Sequence, residues 1–304
     1  MLKISKESIG ASLVISPWNY PLLCPIGAII PSIICGNSVL LKHSPRTPMV
    51  GQFFEEAFNS VGALNVVQNL FLQNSDVEKV YRYPLINFVG FTGSVEGGKS
   101  VLMDIARNGR FIRTNFELGG KDAAYVREDA DLDFAVENVI DGAMYNSGQS
   151  CCAVERAYVH ESIYEEFIEK AAKIISNMKI GNPLDDSTNL GPQALPDSLI
   201  FLQDQVQEAV SEGAQLVCGG SLTTDTNGKG RFFEPTLIRD CTNEMNIMMK
   251  ESFGPILPIA KVSGDDEAIE AINNSEFGLT ASIFSKDYKN GLELAKRVKY
   301  NIRF

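Results

Sequence analysis

The sequence predicts a two-domain α/β protein whose first domain is built around a doubly wound parallel sheet. Three observations support this prediction. The chain has 304 residues, of which 44% are hydrophobic, which is enough for two buried cores. Short apolar runs alternate with segments of helical character, as parallel strands covered by helices on both faces require. A Gly-Gly pair at residues 119–120 coincides with a change of composition, where the chain can pass into a second domain.

The first elements are predicted within a stretch at residues 8–41 that contains no charged side chain. On length alone this stretch would admit a membrane-spanning helix. Its prolines and glycines would break such a helix and leave backbone groups unpaired in lipid, so we expect no membrane span. Instead, a strand, a proline-containing turn, a helix and a strand are predicted, with the regular elements at residues 12–16, 26–35 and 38–42.

The same alternation continues through the rest of the first domain. A helix is predicted at residues 49–60, where Phe53, Phe54, Ala57 and Phe58 lie at helical spacing and indicate a stripe facing the core. A strand, a glycine turn, a helix and a strand follow in that order, at residues 86–91, 92–94, 95–106 and 111–118.

The second domain is predicted at residues 120–304, after a first domain of residues 1–119. It begins with a helix, a strand and an amphipathic helix, at residues 132–146, 156–160 and 163–178. The segment 223–230 is polar and contains glycine, which predicts an exposed hairpin or loop.

The composition argues against several partners and locations. The net charge is −11 and the basic residues are scattered, so little positive potential is available to attract nucleic acid. The six cysteines include one adjacent pair but no CxxC pair, so neither a metal site nor a disulfide framework is predicted. The early apolar run leads into Trp18 and Asn19 instead of a signal-peptide cleavage site. We therefore expect a cytoplasmic protein.

Cys151 is the first candidate for chemistry. It follows a Gly-Gln-Ser tripeptide after a predicted helix, in a loop that a substrate could approach. A lone cysteine is more commonly a small core residue, and a nucleophilic thiol needs a base, most often histidine. The chain offers only His43, in a proline-rich loop, and His160, at the end of a predicted strand. A thiol hydrolase or acyltransferase that pairs Cys151 with His160 is therefore the weaker hypothesis.

Glu117 and Asn19 are candidates for acid–base chemistry and for hydrogen bonding. Glu117 ends a predicted strand and precedes Leu118 and two glycines, which let the backbone approach a ligand. The residue by itself would more simply be an exposed glutamate at a strand end. Asn19 lies between two prolines, where its amide could donate to a developing oxyanion or cap a turn.

The segment after the strand at 86–91 is a candidate anion site. It contains Gly93, Gly97 and Gly98 and leads into a helix, so backbone N–H groups at a helix N-terminus are available for a dinucleotide pyrophosphate. The spacing is not a GxGxxG fingerprint, and many glycine turns of this kind bind nothing.

Taken together and in this order, the motifs resemble those of the aldehyde dehydrogenase superfamily across essentially the whole chain. The matching segments are PWNYP at residues 17–21, FTGS and a following glycine within 91–98, ELGGK at 117–121, GQSC at 148–151 and ESFGP at 251–255. Five matches in the order of the family could hardly arise by chance.

The resemblance implies an aldehyde dehydrogenase-like fold, with a Rossmann-type dinucleotide-binding domain at residues 1–119 and an α/β catalytic domain at 120–304. It implies oxidation of a small-molecule aldehyde to a carboxylic acid with NAD or NADP. Cys151 would form a thiohemiacetal and then a thioester, Glu117 would be the general base, and Asn19 with the Cys151 N–H would hold the oxyanion. The residues implied to bind the cofactor are Trp18, Lys42, Gly93, Ser94, Gly98, Leu118, Glu251 and Phe253.

Two departures qualify these expectations. Pro45 replaces the glutamate of the frequent KPSE segment, which reduces repulsion of a 2′-phosphate and makes NADP harder to exclude. Family members also have a longer chain before PWNYP and continue beyond residues 300–304 into elements of a homo-oligomer. We therefore expect both domains to be incomplete and the assembly elements to be absent, and a remnant without enzymatic function is the main alternative. The motifs do not specify the aldehyde.

Overall fold

A computed structural model describes residues 4–5, 7–225 and 227–299. The chain divides into two compact units, Met1–Leu118 and Gly119–Phe304. The last residues of the predicted second domain, 300–304, lie outside the described residues.

The first unit contains a five-stranded sheet and its covering helices. Its elements are β1 (Ala11–Ile15), α1 (Leu23–Ile34), β2 (Ser38–Lys42), α2 (Pro48–Ser60), β3 (Val67–Asn69), α3 (Val77–Val80), β4 (Ile86–Thr92), α4 (Val95–Arg107) and β5 (Arg113–Glu117). The strands are all parallel, in the order β3-β2-β1-β4-β5. The predicted doubly wound parallel sheet is confirmed.

Both faces of this sheet are buried, which explains why its strands are nearly continuous apolar runs. Leu13 and Ile15 of β1 pack with residues of α3 and α4. Val14, which points to the opposite face, packs with residues of α1 and α2. Successive side chains of a strand alternate between the faces, so β1 contributes to two separate cores.

Two details of the first unit differ from the predictions. The helix α1 begins at Leu23, earlier than predicted, because Pro25 falls in its first turn, where a proline removes no helical hydrogen bond. The predicted core stripe of α2 is half wrong. Phe54 and Phe58 pack against the core, whereas Phe53 and Ala57 form the neighbouring ridge of the helix and are exposed.

The second unit contains a six-stranded sheet, a short hairpin and six helices among the described residues. Its elements are β6 (Asp122–Val126), α5 (Leu132–Met144), β7 (Val154–His160), α6 (Tyr164–Ser176), α7 (Ser198–Ser211), β8 (Gln215–Cys218), β9 (Leu222–Thr223), β10 (Phe232–Phe233), β11 (Thr236–Arg239), α8 (Asn246–Met249), β12 (Ile256–Val262), α9 (Asp265–Asn273), β13 (Ala281–Phe284) and α10 (Tyr288–Arg297).

The larger sheet has the order β13-β6-β7-β12-β11-β8. All neighbouring pairs are parallel except β11 and β8, so β8 is an antiparallel edge strand. The helices α5 and α6 cover one face, and α7, α8, α9 and α10 cover the other. The strands β9 and β10 form an antiparallel hairpin around the predicted polar loop, of which Thr226 lies outside the described residues. None of the described helices has both the length and the hydropathy that crossing a membrane requires.

Candidate functional site

Six of the predicted site residues lie at the carboxyl ends of strands in the first unit. They are Trp18 and Asn19 after β1, Lys42 at the end of β2, Gly93 and Ser94 after β4, and Glu117 at the end of β5. The direction of strand addition reverses between β1 and β4. In doubly wound sheets, ligands bind beyond the carboxyl ends of the strands at such a switch point.

The turn after β4 is closed by Ser94. Its Oγ accepts a hydrogen bond of 3.1 Å from the Gly97 N–H, so Ser94 is the N-cap of α4. A Cβ on Gly98 would lie 2.7 Å from Leu118 Cδ2, so glycine lets α4 approach the segment that follows β5. The N-terminus of this 13-residue helix provides N–H groups and a positive dipole end, which favour an anion.

Lys42 is a buried cation at the end of β2, with 2% of its surface exposed. Its ammonium group donates a hydrogen bond to Asn74 Oδ1, and burial lowers the pKa of Lys42. The adjacent His43 has local partners for both ring nitrogens: Nε2 lies 2.8 Å from the Pro21 carbonyl oxygen and Nδ1 2.9 Å from Thr47 Oγ1. Both ring nitrogens are thus engaged in local contacts, which gives His43 a structural role.

Glu117, Trp18 and Asn19 differ in their environments. The Glu117 side chain is exposed at the end of β5, while its carbonyl oxygen accepts a 3.0 Å hydrogen bond from the Gly93 N–H. Trp18 and Asn19 are half-buried in the bends that follow β1. An exposed carboxylate beside a glycine turn is accessible to water.

In the second unit, Cys151 follows a strained turn. Asn146, Ser147 and Gly148 have φ values of 54°, 56° and 71°, in the left-handed region. A residue with a Cβ is disfavoured there by about 1–2 kcal/mol, and such strain persists where the surrounding structure holds it. The turn directs the chain from α5 into the loop that contains Cys151.

Hydrogen bonds to a neighbouring segment hold this turn. Gln149 Nε2 donates to the Asn146 carbonyl at 3.1 Å, and Gln149 Oε1 accepts from the Ala194 N–H at 2.8 Å. Ser147 Oγ donates to the Gly191 carbonyl at 2.9 Å. The glutamine of the GQSC motif therefore has a clear local role, which is to fix the loop.

Cys151 and Cys152 form a thiol pair. Cys151 is half-buried and Cys152 is exposed. A hydrogen bond from the Cys151 thiol stabilises the Cys152 thiolate, and together with the Ser150 hydroxyl it lowers the pKa of Cys152 to about 5. Burial opposes this shift. Near neutral pH the negative charge of the pair therefore lies on Cys152, and Cys151 is the thiol that donates to it.

Two glycines bring separate segments close to this loop. A Cβ on Gly148 would lie 2.1 Å from the Gly254 carbonyl oxygen, and a Cβ on Gly120 would lie 2.6 Å from the Cys151 carbonyl oxygen. Both contacts are with backbone atoms, which cannot rotate away as the end of a flexible side chain can. The GQSC, ELGGK and ESFGP segments therefore meet through positions that only glycine fits.

Glu251 lies against Gly119 and Gly120 of the ELGGK motif. Its Oε1 accepts a 3.0 Å hydrogen bond from the Gly120 N–H, and a Cβ on Gly119 would lie 2.4 Å from its Oε2. Burial, reinforced by the negative charge of Glu155, raises the pKa of Glu251 to about 7. Glu251 is therefore a carboxyl group that can gain or lose a proton near neutral pH.

A buried charge pair, which the sequence did not predict, holds the segment after Glu251. Lys121 Nζ donates to Glu155 Oε2 at 2.9 Å and to Ser252 Oγ at 3.1 Å. Glu155 Oε2 accepts from the Ser252 N–H at 2.7 Å, and Oε1 accepts from the Phe253 N–H at 2.8 Å. The available signal in the sequence was the charged pair Glu-Arg inside the otherwise apolar strand β7.

Asp122 is a second buried carboxyl group, with 2% of its surface exposed. Its Oδ2 accepts a 2.5 Å hydrogen bond from Thr280 Oγ1, and its Oδ1 is buried without a hydrogen-bond partner among the described residues. Burial raises the pKa of Asp122 to about 7, although the hydrogen bonds to Thr280 oppose the shift.

His160 does not fit the hypothesis of a cysteine–histidine pair. It lies at the carboxyl end of β7, whereas Cys151 precedes the amino end of that strand. A seven-residue strand spans roughly 20 Å, at about 3.3 Å per residue. Its Nδ1 lies 2.8 Å from Ser162 Oγ. His160 is therefore too far from Cys151 to take its proton.

Residues 1–302 match the model of the Aldehyde dehydrogenase family. The chain belongs to this family. Retinaldehyde dehydrogenase 3 of Homo sapiens is 36% identical over 297 residues, which cover 96% of this chain and 57% of that protein. Retinal dehydrogenase 2 of Taeniopygia guttata is 36% identical over 297 residues, covering 96% and 56%. The chain thus spans little more than half the length of these aldehyde dehydrogenases.

Solved structures of aldehyde dehydrogenases have the same fold. Succinic semialdehyde dehydrogenase from Streptococcus pyogenes, solved with NADP+, has a TM-score of 0.92 and 34% identity, covering 98% of this chain and 65% of that one. Betaine aldehyde dehydrogenase from Staphylococcus aureus, solved with NAD+, has a TM-score of 0.92 and 31% identity, covering 98% and 59%. The predicted aldehyde dehydrogenase-like α/β fold is confirmed.

Proposed function

We propose that this protein oxidises an aldehyde to a carboxylic acid, with NAD+ or NADP+ as the hydride acceptor. The observation that carries the proposal is the loop at Cys151, which combines a strained turn, glycine-only backbone contacts and a neighbouring Cys152 thiolate that accepts a hydrogen bond from the Cys151 thiol. A structural cysteine needs none of these features, whereas a thiol nucleophile needs a fixed position and a negative charge.

The first step assigns the nucleophile to Cys151, the cysteine of the GQSC motif. The Cys151 thiol passes its proton to the neighbouring Cys152 thiolate and its sulfur adds to the carbonyl carbon, so a C–S bond forms and the carbonyl electron pair moves to oxygen. Asn19, by its place in PWNYP, and the Cys151 N–H stabilise the oxyanion. When the oxyanion collapses, a hydride leaves the carbon and a thioester remains on Cys151. The bound cofactor supplies the hydride acceptor.

The second step assigns the general base to Glu117. Its carboxylate removes a proton from water, and the oxygen of that water attacks the thioester carbon. The C–S bond breaks, the carboxylic acid departs and Cys151 is again a thiolate. Glu117 then releases its proton to solvent, to which its exposed side chain has access.

The first unit is proposed as the dinucleotide-binding domain and the second as the catalytic domain. The residues fit a dinucleotide: the N-terminus of α4, capped by Ser94, favours a pyrophosphate, and Lys42 is a buried cation at the same sheet edge. Trp18, Gly93, Gly98 and Leu118 are assigned to the cofactor by their motifs. The ESFGP motif assigns Glu251 to the cofactor ribose and Phe253 to the nicotinamide.

We propose either NAD+ or NADP+ as the cofactor, because one structural relative was solved with NADP+ and another with NAD+. The aldehyde is a small molecule of unspecified structure. A cytoplasmic location is proposed from the six free cysteines, since disulfides are rare where thiols are kept reduced.

The test compares the protein with its Cys151→Ala variant. Each is incubated with NAD+ or NADP+ and a panel of aliphatic and aromatic aldehydes, and formation of reduced nicotinamide is followed by absorbance. The wild type should reduce cofactor only when an aldehyde is present, and Cys151→Ala should not. The matched control is Cys35→Ala, which changes an exposed cysteine of the first unit and should keep the activity. A wild type that reduces neither cofactor with any aldehyde would exclude the proposed activity.

A further inference from the structure

We infer that Glu155 is a positioning residue that holds the backbone of Ser252 and Phe253 through its carboxylate, with Lys121 as its charge partner. The functional consequence rests on the proposed function, in which Glu251 and Phe253 contact the cofactor. The structural claim does not depend on it.

The geometry is that of an anion bound by consecutive backbone N–H groups. The two carboxylate oxygens of Glu155 accept from Ser252 and Phe253 at 2.7 and 2.8 Å. Phe253 has a φ of 54°, a conformation that a bulky residue rarely adopts. Strained backbone of this kind persists where its surroundings over-determine it. The two hydrogen bonds to Glu155 supply that restraint at the strained residue and at the one before it.

Lys121 neutralises the buried carboxylate. Glu155 is 4% exposed and Lys121 is 0% exposed, and the two side chains meet at 2.9 Å. Lys121 also donates to Ser252 Oγ, so both members of the pair contact the same loop. Burial lowers the pKa of Lys121, and the charge of Glu155 opposes that effect. Removing either partner alone leaves an uncompensated buried charge.

The position of Glu155 connects this loop to the nucleophile. Glu155 lies four residues after Cys151, at the start of β7, and Gly254 contacts Gly148 just before the GQSC cysteine. A carboxylate on β7 therefore sets the distance between the cysteine loop and the segment that carries Glu251 and Phe253. Without it, Phe253 would be free to relax out of the left-handed conformation.

Two roles of Glu155 can be distinguished by experiment: a partner in an ion pair that only stabilises the fold, and a carboxylate that positions the backbone of Ser252 and Phe253. If only charge balance matters, the neutral double variant Lys121→Met/Glu155→Gln should behave like the wild type, since buried pairs can be replaced without loss of stability. If the carboxylate positions the backbone, both proteins that carry Glu155→Gln should show the same acceleration of amide exchange at Ser252 and Phe253. The side-chain amide introduced by Glu155→Gln would offer one acceptor oxygen and would present an N–H group towards the second backbone donor.

The experiment compares the wild type with Glu155→Gln, Lys121→Met, the double variant and the control Glu169→Gln, which alters an exposed glutamate on α6. Amide hydrogen exchange of the peptide containing Ser252 and Phe253 is measured without cofactor. Binding of NADH and NADPH is measured by their fluorescence, and unfolding by urea is measured in parallel. Exchange should accelerate about tenfold or more in both proteins that carry Glu155→Gln, because a charge-assisted hydrogen bond is lost.

Cofactor affinity should fall about tenfold in the same two proteins and change little in Lys121→Met. Urea stability should fall in the single variants and recover only in part in the double one, because one backbone N–H stays without an acceptor there. Recovery of wild-type exchange in the double variant would overturn the inference, and so would equal acceleration in Lys121→Met and Glu155→Gln. A wild type that binds neither cofactor would refute the proposed function instead, and the exchange rates would still decide whether Glu155 positions the loop.

Discussion

Substitution of Gly148 by alanine separates two effects at the cysteine loop, namely backbone conformation and steric contact. Gly148 has a φ of 71°, and Gly228, in the β9–β10 loop, has a φ of 70°. A Cβ on Gly148 would meet the Gly254 carbonyl oxygen at 2.1 Å, whereas a Cβ on Gly228 would meet nothing within 4 Å. Gly228→Ala is therefore a matched control with the same backbone penalty and no steric clash.

The magnitudes follow from this geometry. Alanine in the left-handed region costs about 1–2 kcal/mol at either position. At Gly148 the neighbouring backbone must also move by about 1.3 Å, because the new Cβ would lie 2.1 Å from the Gly254 carbonyl oxygen and an ordinary van der Waals contact begins at 3.4 Å. Forced backbone shifts of this kind typically cost about 1–3 kcal/mol more. We expect a loss of about 2–5 kcal/mol for Gly148→Ala and about 1–2 kcal/mol for Gly228→Ala.

The effect on activity should be larger than the effect on stability suggests. A displacement of about 1 Å in a positioned reacting group can reduce the rate about 100-fold. We therefore expect kcat for aldehyde oxidation to fall about 100-fold in Gly148→Ala and to stay near the wild-type value in Gly228→Ala.

The assay is urea unfolding of both variants, followed by steady-state oxidation of one aldehyde under conditions in which each protein is folded. Equal losses of stability in the two variants would mean that the contact with Gly254 has no energetic effect. A folded Gly148→Ala protein with full kcat would show that the position of the loop does not limit the reaction. Either result would refute the steric reasoning.

Three further predictions test the acid–base groups. Glu117→Gln should give one burst of reduced cofactor per site and then very slow turnover, because the thioester forms but no water is activated; stopped-flow absorbance that shows undiminished steady turnover would remove Glu117 from the mechanism. Cys151→Ala should move the pH midpoint of Cys152 alkylation from about 5 upward towards the ordinary 9.0, because the hydrogen bond that stabilises the Cys152 thiolate is lost. Mass spectrometry of the alkylated peptide at a series of pH values measures this midpoint. An unchanged midpoint would contradict a hydrogen bond between the two thiols. Asp122 binds its proton more tightly when folded, with a pKa of about 7 against 3.8, so its contribution to stability is present below pH 3.8 and is lost as the pH rises to about 7. Asp122→Asn should therefore make the free energy of unfolding fall less steeply over that pH range, by up to about 1.4 kcal/mol per pH unit. The control Asp186→Asn, which changes an exposed aspartate, should leave the slope as in the wild type. Urea unfolding at several pH values measures the slopes, and the same slope in Asp122→Asn and the wild type would refute the assignment.

Much of the fold follows from patterns that are local in the sequence. The strand β2 was predicted over residues 38–42, where the structure has it, because an apolar run bounded by a glycine turn has few alternatives. The motif residues of the first unit are predicted in turns after strands or, for Lys42 and Glu117, at the ends of strands, and the parallel order of those strands places them at one sheet edge. Their roles in catalysis and cofactor binding are proposals drawn from the motifs.

Features that depend on segments far apart in the chain could not be predicted. The exposure of Phe53 and Ala57 was missed, because helical spacing indicates which residues share a face and does not show how wide a face the sheet covers. The need for glycine at position 148 arises from Gly254, and the partners of Glu155 are Lys121 and Ser252, at separations of 34 and 97 residues.

The sequence by itself determined the α/β fold class, through the spacing of apolar residues and glycines along short segments, and the family, through five motifs in order. The tertiary structure decided which polar groups are buried and with which partners, and hence the raised pKa values of Asp122 and Glu251 and the restraint on Phe253. The physical reason is that hydrophobic periodicity is a property of neighbouring residues, whereas desolvation and charge pairing depend on distances in space.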